Sequence, residues 1–102
     1  LGEGLASLGE ALLRSGEPRE ARVILEETLA LRRKIVPQGH WAIADAESRL
    51  GAALAATGDA DKGRELMTRG LEALQASRPA GDGFTLAAQA RLQAVAARPD
   101  AI

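Results

Sequence analysis

Landmark residues in this chain recur 42 positions apart: Leu8-Gly9 with Leu50-Gly51, Leu12 with Leu54, Gly16 with Gly58, Leu29 with Leu71, Pro37 with Pro79 and Gly39 with Gly81. Of the 60 pairs of positions this offset allows, 14 are identical, where composition alone gives roughly seven. The matched residues are turn formers and apolar positions, the ones a structural repeat has to keep. A repeat of this length is one supersecondary unit that cannot bury its apolar face alone, so successive units must stack.

Inside each unit the apolar residues fall at helical spacing. Leu1, Leu5, Leu8 and Leu12 form one stripe, and Ala21, Ile24, Leu25, Thr28, Leu29 and Ile35 a second. Ile43, Ala46, Leu50, Ala53 and Leu54 form the third, Gly63, Leu66, Met67, Leu71 and Leu74 the fourth, and Leu86, Leu92 and Val95 the fifth. The 22 Ala and 15 Leu favour helix, whereas Val and Ile together number seven and Tyr is absent, so sheets lack their usual material. Gly16-Glu17-Pro18 and Gly58-Asp59 separate paired helices, with Asp59 an expected N-cap. Pro37–His40 and Pro79–Gly83 are longer loops. The spacing predicts an all-α chain of five helices near 1–15, 18–36, 41–57, 60–77 and 84–97, as antiparallel pairs without strands. The units are 1–38, 39–80 and a terminal or capping helix in 81–102, with Arg98-Pro99-Asp100 ending the pattern.

The motif Leu5-x-x-Leu8-Gly9-x-x-Leu12, followed by Ala21-x-x-x-Leu25, resembles the tetratricopeptide repeat family, as does Glu47-x-x-Leu50-Gly51-x-x-Leu54 with Gly63-x-x-x-Met67. The offset and the Gly39-His40-Trp41-Ala42-Ile43-Ala44 segment resemble the kinesin-light-chain-like subclass, with Trp41 in place of the usual Pro. Gly81–Leu86 fits that pattern poorly, and Gln93 stands where Gly would. The resemblance implies an α-solenoid of stacked helix pairs and a non-catalytic protein–protein interaction module. It further resembles the C-terminal repeats of bacterial Ser/Thr protein kinases. Leu1 aligns with Ile43, so the first repeat is expected to lack its lead-in and the chain to be the end of a longer array. Three roles follow: interaction module, regulatory or sensor tail of such a kinase, and self-assembly element. The resemblance implies a cytoplasmic location, or an extracytoplasmic one beside a membrane-anchored kinase.

Net charge is −1, with 13 Lys and Arg against 14 Asp and Glu, a balance that argues against nucleic acid or an anionic membrane surface. Without Cys, thiolate zinc sites and cysteine nucleophiles are excluded, and one His rules out a His-cluster metal site. No apolar run approaches the ~18 residues of a membrane span. No cofactor is expected, and Ser7, Ser15, Ser48 and Ser77 sit in no nucleophile elbow.

His40 reads as the residue that starts a helix, and Trp41 as a staple on the preceding helix. Arg32-Arg33-Lys34 reads as a cationic helix end rather than a patch for an acidic partner. Glu10–Arg14, Arg22–Glu26, Asp45–Arg49 and Glu65–Arg69 have the i,i+4 spacing of solvated surface pairs. The family resemblance implies that the first helix of each pair lines a concave groove. Its positions here are Glu3, Ala6, Glu10 and Arg14, then Asp45, Ser48, Arg49, Ala52 and Ala56, then Ala87, Ala90, Arg91 and Ala94. Only Arg49 and Arg91 match the cationic positions of a chaperone-tail carboxylate clamp. The Ala-lined stretch suits a close-packed helix or extended protein segment instead. Leu1, Leu5, Val95 and Ile102 are the expected uncovered apolar edges, making the chain marginally stable or prone to self-association. Gly51 is expected at the closest helix approach, where Leu overpacks and Ala is tolerated.

Overall fold

The computed structural model describes residues 2–97. They form α1 (Glu3–Arg14), α2 (Pro18–Ile35), α3 (Trp41–Ala56), α4 (Ala60–Ser77) and α5 (Gly83–Ala97), with no strand among the described residues. Each helix packs on the next in sequence. In addition α1 touches α3 and α3 touches α5, while α2 and α4 do not meet among the described residues. The odd-numbered helices therefore converge on an inner, concave layer and the even-numbered ones splay outside it. This is the all-α helix-pair stack expected from the sequence. Leu1 and 98–102, including Ile102, lie outside the described residues.

Helix ends follow from local chemistry. Gly16 and Gly58 close α1 and α3 with φ of 84° and 99°, a left-handed conformation that costs Gly little. Pro18 opens α2 in its first turn, where its missing N–H removes no helical bond. Asp59 stands at the N-cap of α4, but its side chain makes no capping bond there; the expected cap is absent. Starting α3, the Ala42 N–H donates to His40 Nδ1 at 3.0 Å. At the position 42 residues on, Asp82 does the same for α5, its carboxylate accepting from the N–H groups of Phe84 (2.9 Å) and Thr85 (3.3 Å). The Gly81–Leu86 segment thus keeps the capping role of Gly39–Ala44 with a different acceptor.

Arg78 donates to Asp82 at 2.8 Å and lies over the rings of Trp41 (4.8 Å) and Phe84 (5.5 Å). Trp41 and Phe84 sit 4.6 Å apart. Trp41 therefore packs toward the end of α4 and the start of α5, not onto the preceding helix as expected. The guanidinium of Arg78, bonded to Asp82, holds that carboxyl below its usual range, and the two capping N–H groups act in the same direction. A carboxyl depressed in the folded state adds stability above its unfolded-state value and loses it as pH falls through the folded one. The stability difference between the native chain and Asp82→Asn should therefore shrink as melts are taken from pH 7 down through the carboxylate range. A constant difference would show that the charge on Asp82 is not what matters.

Two apolar clusters hold the stack. Ala21, Leu25 and Leu29 of α2 pack with Ile43, Ala46, Leu50, Ala53 and Leu54 of α3. Ala44, Leu74 and Ala88 join α3, α4 and α5, with Trp41, Leu71 and Phe84 packed against them. The α3/α4 pair is the tightest. A Cβ on Gly51 would come within 2.6 Å of the Gly63 carbonyl oxygen, one on Gly63 within 2.5 Å of the Gly51 oxygen, and one on Gly70 within 2.7 Å of the Ala44 oxygen. Gly51 sits at the closest approach as expected, but tolerance of Ala there is contradicted: the obstruction is backbone. Of the expected apolar edges, Leu5 and Val95 are half-buried, and the exposed large apolar residues are Leu8, Val23, Ile35 and Leu86.

Candidate functional site: the concave face of the odd-numbered helices

The inner layer encloses a groove of about 480 Å³ lined by Ser7, Glu10, Arg14, Arg49, Ala87, Ala90 and Arg91. Three helices contribute, so the groove exists only because α1, α3 and α5 pack side by side. The expected positions Glu10, Arg14, Arg49, Ala87, Ala90 and Arg91 are brought together here. Glu3 is exposed in the first turn of α1, and Ala56 is exposed near the end of α3. Ala6, Asp45 and Ser48 are buried beneath the surface, and Ala52, half-buried, does not line the groove.

Those buried residues form a charged floor. Arg32 Nη1 from α2 donates to Asp45 Oδ2 at 2.9 Å and to the Ala42 carbonyl at 2.8 Å. Arg49 Nε donates to both Asp45 oxygens, at 3.0 and 3.2 Å. Arg49 also reaches Glu10 Oε1 at 3.3 Å. Arg91 donates to Ser48 Oγ at 2.9 Å and lies 3.8 Å from the same Glu10 oxygen. Glu10 from the first helix is thus clasped by guanidiniums from the third and fifth, and the network ties the inner layer together. Burial lowers the pKa of Arg91, with Glu10 opposing the shift and Arg49 adding to it.

Arg14 is exposed and enters no ion pair among the described residues. The groove lining therefore carries three guanidiniums against one carboxylate, and Asp45 behind it is already matched by Arg32. The mouth is cationic and its remaining walls are alanine.

Sequence spacing misassigned several charges. Arg22–Glu26 is the exposed pair expected, at 3.2 Å. Asp45–Arg49 does form, but Asp45 is wholly buried. Glu10 pairs across helices with Arg49 instead of Arg14, and Arg69 pairs with Glu47 instead of Glu65. Arg33 also binds Glu47, so two members of the Arg32–Lys34 run, which closes the last turn of α2 as expected, also join α2 to α3. Arg32 was missed as an interior residue because only the fold brings it opposite Asp45.

Comparison with known proteins gives a match to the tetratricopeptide repeat family model over residues 4–42. Residues 4–42 resemble a tetratricopeptide repeat. The match covers α1, α2 and the loop leading into α3. The offset of 42 positions carries the same helix pair onto α3 and α4, whose packing closes the tetratricopeptide-like stack. Tetratricopeptide repeats typically bind proteins or peptides and are generally non-catalytic. No curated protein and no solved structure matches the chain. No helix among the described residues is long and apolar enough to cross a membrane, and no three His, Asp or Glu side chains gather there as a metal site would require.

Proposed function

We propose that the concave groove of this repeat stack binds an extended protein segment bearing acidic side chains. The observation that carries the reading is the excess of guanidinium in the lining, with Arg14 exposed and outside every ion pair among the described residues. Arg91, whose charge is disfavoured by burial, gains from a further anion placed beside it. Ala87 and Ala90 leave room for backbone to approach. A guanidinium fork offers a carboxylate two parallel bonds, which suits side-chain recognition as well as charge.

The test is fluorescence anisotropy with a labelled Ala/Glu peptide and its Ala/Gln counterpart. The acidic peptide should bind more tightly, and added salt should narrow the difference. Arg14→Glu should weaken acidic-peptide binding about threefold to tenfold while leaving the melting temperature unchanged, since Arg14 supports nothing in the fold. Equal binding of the two peptides would overturn the reading.

The resemblance to kinase-associated repeats supports a second placement for the same module: a cytoplasmic regulatory tail downstream of a Ser/Thr kinase domain. A Gly-rich loop, a Val-Ala-x-Lys strand and a His-Arg-Asp loop in the full polypeptide would be its signature.

A further inference from the structure

The corner where α4 turns into α5 is a copy of the corner where α2 turns into α3, with its side chains exchanged. At the α2–α3 corner, Val36 and Ile43 belong to an apolar cluster, and Glu47 is held by Arg33 and Arg69. At the α4–α5 corner, 42 positions on, Val36 and Ile43 are replaced by Arg78 and Thr85, and Arg33 and Glu47 by Gln75 and Gln89. Hydrogen-bonding groups thus stand where the first corner has hydrocarbon, and neutral amides where it has an ion pair.

All four replacements line a pocket of about 370 Å³, together with Leu86, which is 52% exposed. This pocket shares no residue with the concave groove. Thr85 is only 7% exposed, yet its hydroxyl has no hydrogen-bond partner among the described residues, and neither has the buried Nε of Arg78. A buried donor left unpaired is costly. The fold does not demand that cost, since Ile43 fills the position of Thr85 with hydrocarbon.

The chemistry of the walls selects the occupant. An arginine Nε–H only donates, whereas a hydroxyl and a glutamine amide both donate and accept. An occupant that matches them presents a carbonyl oxygen and an N–H together. Arg78 is the one charged residue of the lining, and its guanidinium already donates to Asp82 at 2.8 Å. A carboxylate would add a second anion against that single cation, and an ammonium would face the guanidinium. A neutral amide does neither. We propose that the α4–α5 corner binds a neutral carboxamide, whose oxygen accepts from Arg78 Nε and Thr85 Oγ1 and whose N–H donates to Gln75 or Gln89. Its hydrocarbon end lies on Leu86. The two unpartnered atoms sit just beneath the pocket surface, so the exposed side chains of Gln75 and Leu86 reorient around the amide as it enters.

NMR titration of the 102-residue chain tests this. Isovaleramide probes for a free primary amide, N-acetylalanine methylamide for a peptide backbone, and isovalerate is the anionic control. At least one amide should shift the signals of Thr85, Leu86 and the Arg78 Nε–H, with a Kd of about 1–10 mM. Isovaleramide as the tighter ligand assigns the pocket to a primary amide, and N-acetylalanine methylamide as the tighter assigns it to a peptide backbone. Isovalerate should bind at least about fivefold more weakly than the better amide. Thr85→Val keeps the shape and removes the hydroxyl. It should weaken amide binding about fivefold to tenfold while melting no lower than the native chain, because the lost hydroxyl has no partner in the fold. A hydroxyl that only supports the fold would do the reverse, lowering the melting temperature and leaving binding unchanged. The proposal is overturned by that reverse result, by amides that shift none of these signals, or by isovalerate binding as tightly as the amides.

Discussion

Asp45→Ala should destabilise the chain by about 3–5 kcal/mol, because it removes the carboxylate that faces a buried guanidinium. Arg32 and Asp45 are both almost completely buried, 3% and 1% exposed at their side chains. Removing the carboxylate takes from Arg32 its 2.9 Å ion pair inside the core. Arg49 loses both bonds from its Nε, though it keeps Glu10. Against a total stability of about 5–15 kcal/mol for a domain of this size, such a loss would leave the variant near or past unfolding. The second repeat interface shows how the cost can be removed. The positions of Arg32 and Asp45 are occupied there by Leu74 and Ala87, and Leu74 is fully buried. The same stack is therefore built once with an ion pair and once with hydrocarbon. Arg32→Leu combined with Asp45→Ala should recover most of the loss, since replacing a buried pair by apolar side chains is often neutral or better. Urea melts of the two single variants and the double variant form a cycle whose coupling should be large. Additive single effects would mean that each residue acts through other partners.

The helices were legible because their causes are local. Leu and Ala at helical spacing, Gly16 and Gly58 as stops and Pro18 as a start act within a few residues, and the repeat checks each against its copy. The convergence of Glu10, Arg49 and Arg91 was legible through the family resemblance, which assigns faces that spacing alone cannot. What stayed hidden was long-range. Nothing near Arg32 in sequence says that it is buried, since its partner lies 13 residues on, across a loop. The i,i+4 rule offered Glu10 and Arg69 a neighbour on their own helix, and interhelical pairs won because the carboxylates in them, half-buried Glu10 and buried Glu47, gain more from a partner. Asp82 was obscured by a motif that asks for His, although an acceptor of the right reach is all the helix start requires.

Gly51→Ala and Gly4→Ala are the same chemical change and should have opposite signs. In a helix Ala is favoured over Gly by up to about 1 kcal/mol. At Gly4 a Cβ meets nothing within 4 Å, so the substitution should stabilise by a few tenths to about 1 kcal/mol. At Gly51 the Cβ would lie 2.6 Å from the Gly63 carbonyl oxygen, 2.7 Å from Met67 Cγ and 3.0 Å from the Met67 nitrogen. Met67 Cγ can yield by rotation, but the two backbone atoms move only if α4 moves. α4 is held in place by Gly63 and Gly70 against the Gly51 and Ala44 carbonyls, so separating it from α3 loosens the tightest interface in the stack. Overpacking should outweigh propensity, giving a net loss of about 1–2 kcal/mol for Ala and about 3 kcal/mol or more for Leu. Because α5 packs on both α3 and α4, the displacement should also expose the Trp41–Phe84 pair. A red shift of Trp41 fluorescence in Gly51→Leu under native conditions would report it. Equal stabilisation by Ala at both glycines would show that α3 and α4 do not meet at Gly51.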